Sequence, residues 1–132
     1  MRLILCLDER GGLSFYGRRL SRDVAVCRRI LELSRGAELW MSPGSQPLFI
    51  SLEGNVFACE DYLDRAGEGA FCFAETQLPD MSRVQTLYVF RWGRHYPSDV
   101  RFFPEEFGFS IISEEQFSGK SHDKITLEVY AK

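Results

Sequence analysis

The stretch Leu3-Ile4-Leu5-Cys6-Leu7-Asp8-Glu9-Arg10-Gly11-Gly12-Leu13-Ser14-Phe15-Tyr16-Gly17-Arg18-Arg19-Leu20-Ser21-Arg22-Asp23 decides the fold. Leu3 to Leu7 is apolar with no polar alternation, which predicts a central strand covered on both faces. Asp8 closes it, and Asp8-Glu9-Arg10-Gly11-Gly12 has the composition of a turn. A glycine-punctuated loop then delivers a carboxylate, Asp23, to the start of a helix. In that helix Val24, Cys27, Ile30 and Leu31 recur at the helical period, and Val26 and Leu33 widen the stripe. Arg22, Arg28, Arg29 and Glu32 take the other side. Ser21 is the expected N-cap, Asp23 falls in the first turn where the helix dipole favours an anion, and Gly36 stops the helix. A loop held between a buried strand and a helix is a place for a ligand, because rigid elements fix both its ends.

Outward from this stretch, short strands and helical segments alternate. Strands are predicted over Glu38–Met41, Val56–Cys59 and Ala70–Ala74, with a short helix over Asp61–Ala66 and a loop or ragged helical turn over Gln77–Ser82. Alternation of this kind implies parallel strands joined by crossovers. From Val84 the pattern changes. Thr86–Trp92 is rich in β-formers, Phe107–Ile112 reads as another strand, and Ile125–Tyr130 alternates at period two. The expected architecture is a three-layer α/β fold: a mixed, mostly parallel central sheet of about seven strands, with an antiparallel C-terminal addition and few helices. Residues 1–132 are expected to form one domain.

Composition excludes several classes. No apolar run approaches the roughly 20 residues that cross a bilayer, and Leu3–Leu7 is too short for a signal-peptide core, so a cytoplasmic location is expected. Cys6, Cys27, Cys59 and Cys72 are scattered through apolar runs without a Cys-x-x-Cys, and read as buried thiols. The net charge is −3, but residues 1–35 hold eight Arg against four acids, while the remainder holds eight basic against fifteen acidic residues. A basic N-terminal region attracts an anionic ligand, whereas the overall negative charge argues against nucleic acid as a partner. There is no Walker loop, no complete Gly-x-Gly-x-x-Gly, no Gly-x-Ser-x-Gly elbow and no metal-ligand spacing.

The order of these pieces resembles dihydrofolate reductase. The run from Gly12 through Gly17 to Asp23 follows that family's loop and helix-borne carboxylate. Met41 matches the Met ending its second strand, and Leu87-Tyr88-Val89 its late strand. Tyr96–Pro104 resembles its Gly-Asp-Thr-x-Phe-Pro region, and Ile125–Tyr130 its last strand. The resemblance implies Asp23 as the catalytic carboxylate, binding the amino-pyrimidine end of a pterin and assisting protonation, a role suited to a raised pKa. It implies a cofactor site at Gly12, Ser14, Gly17, Ser42, Ser45 and Glu75, with NADPH as cofactor if the chain is active. There the chain departs from the pattern. Ser42-Pro43-Gly44-Ser45 lacks the basic residue that meets the phosphates, and Ala74-Glu75-Thr76 stands in place of a glycine pair. A carboxylate beside two phosphates is repulsive by about 1–4 kcal/mol near a surface. Arg91–Asp99 and Ser121–Thr126 also resemble segments of small bacterial reductase-like proteins, some labelled ribonuclease Z. The two-zinc chemistry of that nuclease needs a His/Asp cluster, and this chain has only His95 and His122.

Three readings follow. The first is a reductase-fold protein with a degenerate nicotinamide-phosphate site, binding a small planar ligand or a partner between the Gly12–Asp23 loop and the end of the Val84 strand. Its ligand-binding residues would be Cys27, one helical turn beyond Asp23, and Arg91, Trp92, Arg94 and Tyr96, a cation-aromatic group able to stack a planar base. The second is a divergent NADPH-dependent reductase of a pterin-like substrate. The third is RNA binding through the Arg-rich first helix and the Arg91–Tyr96 cluster. His122 beside Asp123 reads as a proton shuttle or as a loop histidine with a local acid.

Overall fold

The computed structural model describes residues 1–132. Strand β1 (Arg2–Leu7) lies in the middle of a seven-stranded sheet, paired in parallel with β6 (Phe71–Phe73) on one side and β7 (Thr86–Arg91) on the other. Beyond β6 come β4 (Leu39–Met41) and then β5 (Val56–Ala58), also parallel. Beyond β7 come β10 (Ile125–Ala131) and β9 (Ser110–Phe117), both antiparallel to their neighbours. The expected sheet of parallel strands with an antiparallel C-terminal addition is what forms.

Double burial explains why β1 carries no alternation. Leu3, Leu5 and Leu7 enter one core with Cys72, Leu87 and Val89, under Tyr62 of the short helix α2 (Tyr62–Arg65). Ile4 and Cys6 enter the other with Phe71, Phe73 and Phe90, under Val26, Cys27 and Ile30 of helix α1 (Val24–Leu33). An apolar residue is stabilising on either side, so the strand has no polar face to show. Truncating any of these leucines to Ala costs about 2–5 kcal/mol.

Three local expectations are corrected. The Gly12–Asp23 segment is not all loop: β2 (Gly12–Phe15) and β3 (Arg18–Arg19) form a hairpin, which β8 (Val100–Arg101) extends to a second, three-stranded sheet. Its turn places Tyr16 at φ 50° and Gly17 at φ 72°, the left-handed pair a two-residue hairpin turn needs. The N-cap of α1 is Asp23 rather than Ser21, because Asp23 is extended (φ −156°) and its side chain accepts from the Ala25 N–H. The strand expected at Phe107–Ile112 starts later and runs longer, at Ser110–Phe117. Pro104–Phe107 coils into a 3-10 turn that ends at Gly108, φ 83°. The expected strand stops short of Glu114 and Glu115, but an edge strand tolerates a solvated face and continues through them.

Because β4, β6, β1 and β7 run in parallel, their carboxyl ends line one edge of the sheet. There a crevice for ligands forms in open α/β sheets. β10 is antiparallel to β7, with Thr126 opposite Arg91, so the 119–124 segment leading into it reaches the same edge.

Candidate functional site

Asp23 is buried, and the chain itself fills its carboxylate. Oδ1 accepts from the backbone N–H groups of Ala25 (2.9 Å) and Lys120 (3.0 Å). Oδ2 accepts from those of Ser121 (2.8 Å) and His122 (3.2 Å), and faces His122 Nδ1 at 3.1 Å. Burial alone pushes this carboxyl up. The amide and imidazole donors outweigh it and hold the group well below the usual carboxylate range. The shift is opposite in direction to the raised value expected for a proton donor. Gly119 makes the approach possible: a Cβ there would run into the Asp23 carboxylate and Ile125.

His122, also buried, is the second member. Since Nδ1 faces a carboxylate oxygen, which only accepts, the hydrogen bond places the ring proton on Nδ1. Nε2 then faces two hydroxyls, Ser21 Oγ at 2.9 Å and Tyr96 Oη at 3.1 Å. The Trp92 indole stacks on the imidazole, centroids 4.5 Å apart at 27°. The partner expected from sequence, Asp123, is exposed and takes no part.

A second polar cluster sits at the ends of β4 and β6. Arg19 Nε donates to both carboxylate oxygens of buried Glu75, at 3.1 and 2.9 Å. Ser45 Oγ donates to Glu75 Oε1 at 2.6 Å, and Arg19 Nη2 to the Gly44 carbonyl at 2.6 Å. Ser42 Oγ lies 3.2 Å from Ser45 Oγ. Gly17, Arg18, Arg19, Ser42, Ser45 and Glu75 are among the lining of an open groove of about 350 Å³ that has no hydrophobic wall.

The structure thus brings together, of the residues marked for a cofactor, Gly17, Ser42, Ser45 and Glu75. Gly12 and Ser14 lie apart. Gly12 is buried against Ser98 and Asp8, where a Cβ would meet Ser98 Oγ at 2.8 Å, and its N–H donates to Asp8 Oδ1 at 2.7 Å. Burial pushes the Asp8 carboxyl up, but the backbone N–H donors of Tyr96, Gly12 and Arg10 more than offset this and hold it below its ordinary value. Ser14 Oγ is buried without a partner. Of the residues marked for a ligand, Cys27 lines a groove of about 270 Å³ between α1 and the 3-10 turn Gln46–Phe49. Burial, then the charges of Glu75 and Asp23, push its thiol up to about 11.

Arg91, Trp92, Arg94 and Tyr96 do not share one open face. Arg91 is paired with Glu128 at 2.7 Å, and the exposed Arg94 reaches the Ser121 carbonyl. Trp92 is 3% exposed and stacked on His122, and Tyr96 turns its hydroxyl to the same ring. Arg29 of the first helix is likewise paired, with Glu115. Ser121 and Arg19 are site residues that the sequence does not single out; it marks His122 only as the neighbour of Asp123 and Ser21 only as a helix cap.

No protein-family model matches the chain, and neither does any curated protein sequence. Solved structures do. Among 198 matching chains is dihydrofolate reductase from Enterococcus faecalis complexed with NADP(H) and RAB-propyl. It matches with a TM-score of 0.65 over 98% of this chain and 94% of that one, at 9% sequence identity. The fold is dihydrofolate reductase-like. On that scaffold both polar clusters lie along the carboxyl edge of the parallel strands, on either side of the Arg19–Asp23 segment. Between them, around Cys6, Phe73, Glu75, Trp92 and Asp23, the free volume is about 10 Å³, enough for about one water. No three His, Cys, Asp or Glu side chains gather as a metal site requires, and no helix is long and apolar enough to cross a membrane.

Proposed function

We propose that residues 1–132 are a single small-ligand-binding domain, built on a dihydrofolate reductase-like scaffold whose nicotinamide-phosphate site is degenerate. The observation that carries this reading is the state of Asp23. An acid that protonates a pterin must be reachable and must hold a proton near neutral pH. Asp23 is covered, saturated by six donors of its own chain and held strongly ionised. The space of about 10 Å³ that Asp23 shares with Cys6, Phe73, Glu75 and Trp92 takes no pterin or nicotinamide ring, and the groove of about 270 Å³ that it also lines meets a carboxylate its own chain has already filled.

The residues do not fit NADPH either. Where the cofactor phosphates would lie, Glu75 presents a carboxylate, and Arg19 is spent on neutralising it rather than meeting an anion. What stays open is the groove beside Arg18, which is exposed and forms no ion pair. Its polar lining suits a small anionic ligand rather than a dinucleotide. The four cysteines carry free thiols, in keeping with a reducing cytoplasmic setting. Nucleic acid and membrane are not among the proposed partners.

A thermal-shift and calorimetric titration tests the reading, since a ligand of the native state raises Tm by mass action. Inorganic phosphate is expected to raise Tm, and Arg18→Ala to remove the effect. NADPH and dihydrofolate are expected to leave Tm unmoved and to give no hydride transfer. Micromolar binding of NADPH with turnover of dihydrofolate, abolished by Asp23→Asn, would overturn the proposal in favour of a divergent reductase.

A further inference from the structure

We propose that Ser21, His122 and Asp23 form a hydrolytic relay for small carboxylic esters, with Ser21 Oγ as the nucleophile. Three groups stand in the required order. Ser21 Oγ is 2.9 Å from His122 Nε2, and His122 Nδ1 is 3.1 Å from Asp23 Oδ2. Base and orienting acid are buried, whereas Ser21, which must meet the substrate, is half-buried and reaches the surface. A nucleophile, a base within hydrogen-bond reach and a third group orienting the base are the recurring parts of serine acyl transfer, recognised by geometry rather than by position in the chain.

The surroundings fit the roles. The amide donors hold Asp23 as a carboxylate, so it fixes the imidazole with Nδ1 protonated and leaves Nε2 unprotonated, shared between the Ser21 and Tyr96 hydroxyls, of which Ser21 is the nearer. Trp92 fixes the ring plane from one face. The backbone N–H groups of Ser21 and Arg22 donate to no protein acceptor, which leaves two donors on the nucleophile's own turn for an oxygen that becomes negative. A groove of about 270 Å³ is lined by Arg22 and Ser121, chain neighbours of Ser21 and His122, and by Asp23, Val24, Pro47 and Leu48, with Ser21 next to its wall in the chain and not part of it. That size, and a lining that mixes Val24, Cys27 and Leu48 with polar groups, suit a short acyl ester. In the reaction Ser21 Oγ bonds to the carbonyl carbon as its proton passes to His122 Nε2. The carbon–oxygen bond to the leaving alcohol breaks, and the alcohol departs with that proton. Water then cleaves the Ser21 ester, its proton returning through Nε2 to Ser21 Oγ.

The test is labelling of the full chain by an alkyl fluorophosphonate, in which Ser21 Oγ displaces fluoride, with the modified residue located by mass spectrometry. One label on Ser21 is expected. It should be absent in Ser21→Ala, and formed about a hundredfold or more slowly in His122→Gln of unchanged circular dichroism. A second measurement isolates the positioning role of Asp23. In Ser21→Cys the thiol beside His122 is expected to ionise at neutral pH and show thiolate absorbance, which Asp23→Asn in that background removes. The native thiols do not interfere, because burial pushes all four up. No labelling of the wild type, a label that persists in Ser21→Ala, a label on Tyr96, or an introduced thiol that stays protonated in Ser21→Cys would overturn the relay. The assay uses no ligand of the Arg18 groove, so its outcome is separate from the fate of the ligand-binding proposal.

Discussion

Asp23 and Glu75 end up buried at the same edge of the sheet, yet they are held by opposite means. Asp23 is held by backbone amides of its own helix start and of the distant segment 120–122, by the Ser121 hydroxyl and by one imidazole. Glu75 is held by the guanidinium of Arg19 and one hydroxyl. Amides are fixed by the fold, so Asp23 ties the start of α1 to the segment before β10, 97 to 99 residues away. A guanidinium is a side chain, and that of Arg19 is 32% exposed, so water can take over part of its role. Asp23 is therefore a joint of the structure, whereas Glu75 is a local neutralisation.

The widest separation between the two should come from truncation. Asp23→Ala removes the helix cap and strands three amides and His122, and is expected to cost about 3–5 kcal/mol, read from the denaturant midpoint. Acid should sharpen the contrast next. The Asp23 and Asp8 carboxyls bind protons more weakly in the folded chain than in the unfolded one. Their contribution to stability is whole above the unfolded value of about 4 and drains away as pH falls below it. Thermal unfolding followed from pH 7 downward should show this fall, and Asp23→Asn should flatten it. A smaller loss, about 1–3 kcal/mol, is expected for Arg19→Ala, which leaves Glu75 with Ser45 and whatever water reaches it. The least effect belongs to Ser14→Ala. Its buried hydroxyl has no partner to lose, so the midpoint should move by less than about 1 kcal/mol in either direction.

The legible parts of the fold were those where one physical signal acts alone. Leu3–Leu7 is apolar because both sheet faces are covered, and the Val24–Leu33 stripe is helical because one side meets the sheet. The β2–β3 hairpin was hidden because its strands are short and its turn seats Tyr16, not an asparagine or glycine, at positive φ. β9 was misjudged because Glu114, Glu115 and Gln116 face solvent at an edge. Asp23 stood out in the sequence by its place before the helix, but its environment did not. His122 was read beside its chain neighbour Asp123, while its true partner lies 99 residues away. The one available hint was topological. If Ile125–Tyr130 pairs antiparallel to the strand ending at Arg91, then residues 119–122 must arrive where Asp23 sits. Likewise Arg91, Trp92 and Tyr96 looked like an open stacking platform because sequence shows proximity in chain, not which ring faces are already covered.

The central claim is that the helix-borne carboxylate is satisfied by its own chain and stays ionised. A carbon-13 NMR titration of the Asp23 side-chain carboxyl tests it most directly. The account predicts no protonation of this group until pH has fallen well below the ordinary aspartate value of about 3.9. A midpoint above that value, as a proton-donating acid open to a ligand would show, would contradict it.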